Sequence, residues 1–101
     1  MEFRFAFKDL ELLYTEGKGA EKYPEEVVRA FLRRVLHIQA AETEQDLRMP
    51  MSVHYEQLKG RQYKGKDSMR LNKQWRLILS VERDRTGQKS ITIHEITNHY
   101  N

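Results

Sequence analysis

Residues 68–97 read SMRLNKQWRLILSVERDRTGQKSITIHEIT, and this stretch decides the fold. Apolar and polar side chains alternate through the runs SMRL, WRLILSVE and SITIHEIT, as is typical of strands with one buried face. Asn72-Lys73-Gln74 separates the first two runs as in a tight hairpin, and RDRTGQK separates the second run from the third. The stretch therefore predicts a three-stranded antiparallel meander.

The alternation also divides the side chains of the hairpin between two faces. The apolar face, which should point to the core, comprises Met69, Leu71, Trp75, Leu77, Leu79 and Val81. Trp75 is accordingly interpreted as a core residue rather than as a platform on which a base stacks. Arg70 and Arg76 lie on the opposite face, which an antiparallel sheet can expose to solvent. Arginine binds phosphate in a bidentate way, so this face is a candidate surface for a polyanion.

The segment before the meander predicts one short strand and two helices. Glu2–Phe5 alternates as a strand, and the next segment has Leu10, Leu13 and Tyr14 at helical spacing, ended by the glycines at 17 and 19. A long helix is predicted from Pro24 to Thr43, with proline and acids in its first turn. Its apolar stripe comprises Val28, Phe31, Leu32, Val35, Leu36 and Ile38, whereas Arg29, Arg33 and Arg34 lie on the other, solvated side.

Pro50 prevents helix continuation, and SVHYEQL, residues 52–58, is predicted as a possible short strand. The glycine-containing segment GRQYKGKD that follows is predicted as a loop. The complete order predicts an α+β domain, with two N-terminal helices packed on a small, mostly antiparallel sheet. A length of 101 residues suits a single domain over 1–101.

Composition limits the chemistry that the chain can carry. Cysteine is absent, which removes disulfides and cysteine nucleophiles and fits a cytoplasmic protein. No apolar stretch approaches the ~18 residues of a membrane helix, and the first residues do not resemble a signal peptide. Charge is uneven: residues 1–58 carry 8 Lys or Arg against 11 Asp or Glu, and residues 59–101 carry 10 against 4. A basic C-terminal half is compatible with a polyanionic partner, but charge alone favours an ordinary solvated face with extra lysines.

Several kinds of site are excluded by their missing motifs. No glycine-rich phosphate loop precedes a helix, and His54, His94 and His99 lack metal-ligand spacing. No nucleophile elbow accompanies Ser68, Asp67 and His99. A site without metal or cofactor would use Lys, Arg, His and Tyr, a set that suits RNA cleavage by the 2′-hydroxyl. That reaction needs a general base, a general acid and cations around the phosphate.

The segment QLKGRQYKGKDSMRLNKQWRLILSV resembles the Leu-Lys-Gly, Ser-Ile-Arg and Trp-Arg-Ile signature of HigB toxins, plasmid maintenance killer proteins of the RelE/ParE superfamily. Length, helices, meander and the ending after EIT agree with this family as well. The resemblance implies the RelE-like toxin fold and a toxin that cleaves mRNA on the ribosome without metal. It also implies neutralisation by a HigA-like antitoxin that carries a helix-turn-helix domain.

The resemblance implies catalytic roles for Lys59 and Arg76, with Arg70 at a position that is often basic in the family. Proton transfer falls to His99 or Tyr100, with His54 or Glu56 as further candidates, and the choice among them stays open. Two positions differ from the family pattern: Glu56-Gln57 replaces His-Pro, and Asn98-His99-Tyr100 replaces Asp-Tyr-His. The other predicted substrate contacts are Arg61, Lys64, Lys66 and Asn98. His94 and His37 are interpreted as structural.

Two other functions fit the same resemblance. ParE-like relatives inhibit DNA gyrase through protein binding, and a shared fold does not decide between the two activities. A degenerate HigB homologue would bind its antitoxin without cleaving RNA, and the changes at Glu56 and Asn98 are compatible with it. The basic, proton-donating sheet face favours the nuclease, because gyrase binding does not require such a face.

Overall fold

The computed structural model describes residues 1–99. Its helices are α1 (Lys8–Glu16), α2 (Glu25–Ala40) and α3 (Glu44–Arg48), and its strands are β1 (Phe3–Phe5), β2 (Glu56–Gln57), β3 (Asp67–Arg70), β4 (Arg76–Arg83) and β5 (Lys89–Thr97). Single turns of 3₁₀ helix span Ala20–Lys22, Met51–Val53 and Arg61–Tyr63. The strands form one sheet in the order β1-β5-β4-β3-β2, and every pair is antiparallel except β1 with β5. The predicted α+β class is confirmed.

One hydrophobic core lies between the helices and one face of the sheet. Its fully buried members include Leu10, Leu13, Phe31, Val35 and Ile38 from the helices and Met69, Leu77, Leu79, Ile91 and Ile93 from the strands. Trp75 packs against this core and meets Tyr23 edge-on, with ring centroids 5.7 Å apart. Leu36 does not belong to the buried stripe, because 57% of it is exposed. It follows Val35 by about 100° around the helix, which turns it away from the sheet.

The predicted helix from Pro24 to Thr43 corresponds to α2, which ends at Ala40, three residues before the predicted end. Ala41, the C-cap of α2, is extended, and Thr43 is the N-cap of the separate helix α3. The Thr43 Oγ1 accepts a hydrogen bond from the Asp46 N–H, and the Asp46 carboxylate accepts one from the Thr43 N–H at 3.1 Å. This reciprocal capping box satisfies backbone donors at the start of a new helix. Only the predicted end of the long helix was wrong, because the prediction followed apolar spacing and overlooked the cap of the next helix.

The predicted strand at 52–58 is also mostly wrong. Met51–Val53 is a 3₁₀ turn, and only Glu56–Gln57 pairs with the sheet. His54, between them, has φ 46° and ψ 56°, a left-handed conformation that is uncommon for a residue other than glycine. The connection between β3 and β4 spans residues 71–75 instead of the predicted 72–74. Within it, the Asn72 Oδ1 accepts hydrogen bonds from the Gln74 and Trp75 N–H groups at 2.8 Å.

The last strand, β5, contains a β-bulge that shifts its register against β4 by one residue. Ile78 lies opposite Glu95 and Leu79 opposite Ile93, so that His94 is an additional residue in β5. Ile93 and Ile96 are three residues apart and could not face the same side of a regular strand. The bulge therefore lets both isoleucines reach the core. Within residues 1–99, no helix is long and apolar enough to cross a membrane.

Candidate functional site

The sheet face opposite the helices carries a set of polar side chains beside the β3–β4 turn. In the ladder, Arg70 pairs with Arg76, and Ser68 pairs with Glu56. Cross-strand partners share a face, as do residues two apart on one strand, so these four side chains lie on one side. Met69 and Leu77, between them in sequence, point to the core. The predicted division of the hairpin into two faces is confirmed here.

Arg76 is held in position by groups from three segments. Its Nε donates to the Ser68 Oγ at 2.7 Å, and its Nη2 donates to the His54 carbonyl oxygen at 2.6 Å. A carboxylate oxygen of Glu56 lies 3.7 Å from the same Nη2. The Arg76 side chain is only 13% exposed, and Ser68 is fully buried. Such a guanidinium is oriented before any ligand arrives, which lowers the cost of binding one.

His54 connects the two arginines. Its carbonyl accepts from Arg76, and its ring Nε2 accepts from the Arg70 Nη1 at 3.3 Å. A guanidinium only donates hydrogen bonds, so this contact uses the Nε2 lone pair of His54. The left-handed backbone of His54 directs its carbonyl and its ring to different arginines, and uncommon backbone conformations of this kind are concentrated at functional sites. We call His54, Glu56, Ser68, Arg70 and Arg76 the arginine cluster.

A third arginine supports the cluster from helix α2. The Arg34 Nε donates to the Arg70 carbonyl oxygen at 3.2 Å, and the Arg70 Nε donates to the Asn72 carbonyl oxygen at the same distance. Arg34 is half-buried rather than solvated as predicted. Burial, and then the charge of Arg33, lower the pKa of Arg34. Sequence analysis gave neither Arg34 nor Ser68 a role at the site, although Ser68 is the serine of the segment that resembles the Ser-Ile-Arg signature.

The loop cations surround the cluster at greater exposure. Lys59, Arg61 and Lys64 are exposed, and Lys66 is half-buried. The contacts that hold the arginine cluster together come from residues other than these four. The structure thus brings His54, Glu56, Arg70 and Arg76 together, and it leaves the predicted contacts Lys59, Arg61, Lys64 and Lys66 as a positively charged surface around them. Cations of this kind attract a nucleic acid without reading its sequence.

The chain ending approaches the cluster along β5. Thr97 pairs with Arg76, and the His99 N–H donates to the Thr97 Oγ1 at 3.1 Å. Asn98 and His99 are exposed just beyond this point. The predicted acid or base Tyr100 lies outside the described residues. The structure therefore places His99 two residues past the strand partner of Arg76.

His94 lies on the same sheet face but in a different environment. Its Nε2 is 2.8 Å from the Oγ of buried Ser80. Burial lowers the pKa of His94, and the positive charges of Lys66 and Arg4 lower it further. A half-buried, neutral histidine that is hydrogen-bonded within the sheet agrees with the structural role predicted for it.

The arginine cluster combines anion binding with a proton acceptor. Two oriented guanidinium groups can bind a phosphodiester and stabilise negative charge that develops on it. The His54 imidazole beside them belongs to a residue type that can take part in proton transfer. Among residues 1–99, no three His, Asp or Glu side chains are grouped in a way that could hold a metal ion.

Known structures share this fold at low sequence identity. The YoeB/ParE toxin from Agrobacterium tumefaciens superimposes with a TM-score of 0.59 at 16% identity, over 99% of this chain and all of that one. YafQ from E. coli strain BL21(DE3) gives 0.56 at 16% identity, over 97% and 92% of the two chains. The YoeB-YefM complex from Staphylococcus aureus gives a TM-score of 0.58 at 19% identity, over 99% of this chain and 98% of that one. These likenesses establish the RelE-type fold.

Sequence comparison gives the family. The chain is 38% identical over 78 residues to Toxin HigB-1 of Vibrio cholerae serotype O1, an alignment that covers 77% of this chain and 81% of that protein. Residues 3–94 match the model of the HigB-like toxin family, which is described as "RelE-like toxin of type II toxin-antitoxin system HigB". The matched region includes the whole arginine cluster. The chain belongs to the HigB-like family of RelE-like toxins of type II toxin-antitoxin systems.

Proposed function

We propose that this toxin is an endoribonuclease that cleaves mRNA on the ribosome, in the cytoplasm, using side chains rather than a metal ion. The observation that carries the proposal is the pair Arg70 and Arg76, both joined to His54 on one face of the sheet. Oriented cations beside an imidazole meet the needs of phosphodiester cleavage by a 2′-hydroxyl. Membership of the HigB-like family supports the same activity.

The reaction requires two proton transfers and one charge stabilisation. A base removes the proton of the 2′-hydroxyl, whose oxygen then attacks the adjacent phosphorus. The bond from phosphorus to the 5′-oxygen breaks, and an acid protonates that oxygen, which leaves a 2′,3′-cyclic phosphate. Arg70 and Arg76 stabilise the charge on the phosphoryl oxygens, and Lys59 adds a further cation. His54, whose ring can accept a proton, is the best-placed base among the described residues, and His99, Tyr100 and Glu56 are the other candidates.

A cognate antitoxin is the second partner of the proposal. The family defines toxins that operate in pairs with antitoxins, and we infer a HigA-like antitoxin with a helix-turn-helix domain. The charge of the sheet face suits an acidic segment of such a protein.

The test is cleavage of a translated mRNA by wild type, Arg76→Ala, His54→Ala, His99→Ala and Tyr100→Phe, mapped by primer extension. Arg76→Ala and the variant that lacks the general base should lose roughly 10²–10⁴ in cleavage rate. Arg83→Ala is the matched control, because it removes an exposed arginine from the other end of β4 and should cleave like wild type.

Full cleavage by all four variants would contradict the assignment of the site. A gyrase supercoiling assay run in parallel tests the ParE-like alternative, which predicts inhibition of gyrase without RNA cleavage. A degenerate homologue would show neither activity and would not arrest growth when expressed. Each of the three functions therefore gives a different pair of results.

A further inference from the structure

An open cleft adjoins the arginine cluster on the side of the Met51–Val53 turn. It is lined by Arg48, Met51, Ser52, His54 and Tyr55. His54 belongs both to this cleft and to the arginine cluster, so a ligand in the cleft lies directly beside the groups proposed to bind the phosphate. Only a substrate that extends beyond its phosphate group would contact both the cleft and the arginine cluster.

The walls of the cleft include an aromatic ring and a guanidinium group that lies over it. The Arg48 guanidinium lies over the Tyr55 ring, with its Cζ 4.8 Å from the ring centroid. The Tyr55 hydroxyl donates to the Asp67 carboxylate at 2.5 Å, which fixes the orientation of the ring. A guanidinium plane that already stacks on a ring is itself a platform for a nucleobase.

Met51 supplies the exposed apolar group of the cleft. It is 83% exposed, the largest exposure among the large hydrophobic residues of residues 1–99. A methionine in water loses the burial that would stabilise it, whereas its flexible, polarizable thioether contacts aromatic ligands well. Because Met51 lines the cleft with Tyr55 and His54, a ligand bound in the cleft would cover its side chain.

We infer that this cleft is a subsite for the nucleobase next to the scissile phosphate, and that Met51 and Arg48 stack against that base. The inference rests on the proposed function. Continuity with the arginine cluster through His54 favours a nucleotide over a peptide, because the neighbouring cations would then bind the phosphate of the same nucleotide. Stacking accepts any base to some extent, so the cleft would set a preference rather than an absolute requirement.

The test compares cleavage of a translated mRNA by wild type, Met51→Ala, Met51→Phe, Arg48→Ala and Arg48→Lys. Loss of one base stack should raise KM roughly tenfold and change the distribution of cleaved positions for Met51→Ala and Arg48→Ala. Met51→Phe should retain the wild-type KM, because a ring also stacks. Arg48→Lys should behave like Arg48→Ala, because it keeps the charge but loses the plane. Met49→Ala is the matched control, since Met49 is 55% exposed but does not line the cleft.

Thermal unfolding of each variant shows whether it folds, and only variants with wild-type Tm are compared. Unchanged KM and cleavage positions in both Met51→Ala and Arg48→Ala would overturn the subsite while leaving the nuclease intact. Failure of wild type to cleave would instead count against the proposed function. In that case, photocrosslinking of a 4-thiouridine RNA oligonucleotide decides the subsite: crosslinks at Met51 or Tyr55 support it, and their absence contradicts it.

Discussion

Ser68 is the residue that orients Arg76. It is fully buried on β3, and its hydroxyl accepts a hydrogen bond from the Arg76 Nε at 2.7 Å, whereas His54 and Glu56 contact Nη2. A hydrogen bond to Nε fixes the rotation of the guanidinium plane about the end of the side chain. Ser68 does not need to touch the substrate to influence how Arg76 meets a phosphate.

Ser68→Ala should lower kcat for RNA cleavage roughly tenfold or more, because hydrogen bonds to charged groups contribute ~1.5–3 kcal/mol. KM should change little, since the positive charge stays on the surface. The measurement is steady-state cleavage of a translated mRNA, together with Tm. Ser80→Ala is the control, because Ser80 is also buried on this face but hydrogen-bonds His94 rather than Arg76. A wild-type kcat in Ser68→Ala would show that Ser68 does not position Arg76.

At the scale of elements, helix α3 sets the position of the residues that follow it. It has only five residues, too few to be stable without capping and packing. Its capping box is complete, and Leu47 anchors it to the core with no exposed surface. Arg48, at its end, reaches the Tyr55 ring, so the helix holds one wall of the cleft.

Thr43→Ala should lower the free energy of unfolding by about 1 kcal/mol, because it removes the side-chain acceptor at the N-cap of α3. Thr43→Ser should keep most of that stability, since serine supplies the same hydroxyl. Urea denaturation followed by circular dichroism measures both variants. If the alanine and serine variants unfolded at the same urea concentration as wild type, the cap would contribute nothing and α3 would depend on packing alone.

For the whole molecule, His94 links the free energy of unfolding to pH. Its pKa in the folded protein is lowered by burial first and then by the charge of Lys66; Glu82 opposes this shift, Arg4 adds a smaller lowering, and Glu95 opposes least. The unfolded chain, with an ordinary histidine pKa near ~6.5, binds the proton at higher pH than the folded one. The contribution of His94 to stability is therefore complete above that pH and is lost as the pH falls below it toward the folded pKa.

Chemical denaturation at pH 7.5 and 5.5 should show a lower free energy of unfolding at the acidic pH. In His94→Gln the difference between the two pH values should be smaller, because glutamine does not titrate. His99→Gln, which alters an exposed histidine near the same strand, should retain the wild-type difference. Equal pH dependence in wild type and His94→Gln would contradict the role of His94.

The sequence by itself determined the α+β class, the meander and the placement of Arg70 and Arg76 on one face. These features depend on local periodicity, which reports the face to which each side chain points. It also gave the family resemblance, through motifs that stand close together in the chain. The end of the long helix was also encoded locally, in the capping box at Thr43 that starts the next helix, but apolar spacing concealed it.

The tertiary structure alone decided which residues meet at the candidate site. His54 reaches Arg70 and Arg76 because the turn before β2 packs beside the β3–β4 hairpin, and its left-handed backbone sends the ring and the carbonyl in different directions. Ser68 and Arg34 join through similar contacts between distant segments. Contacts of this kind depend on how elements far apart in sequence pack together, and local periodicity carries no information about that packing.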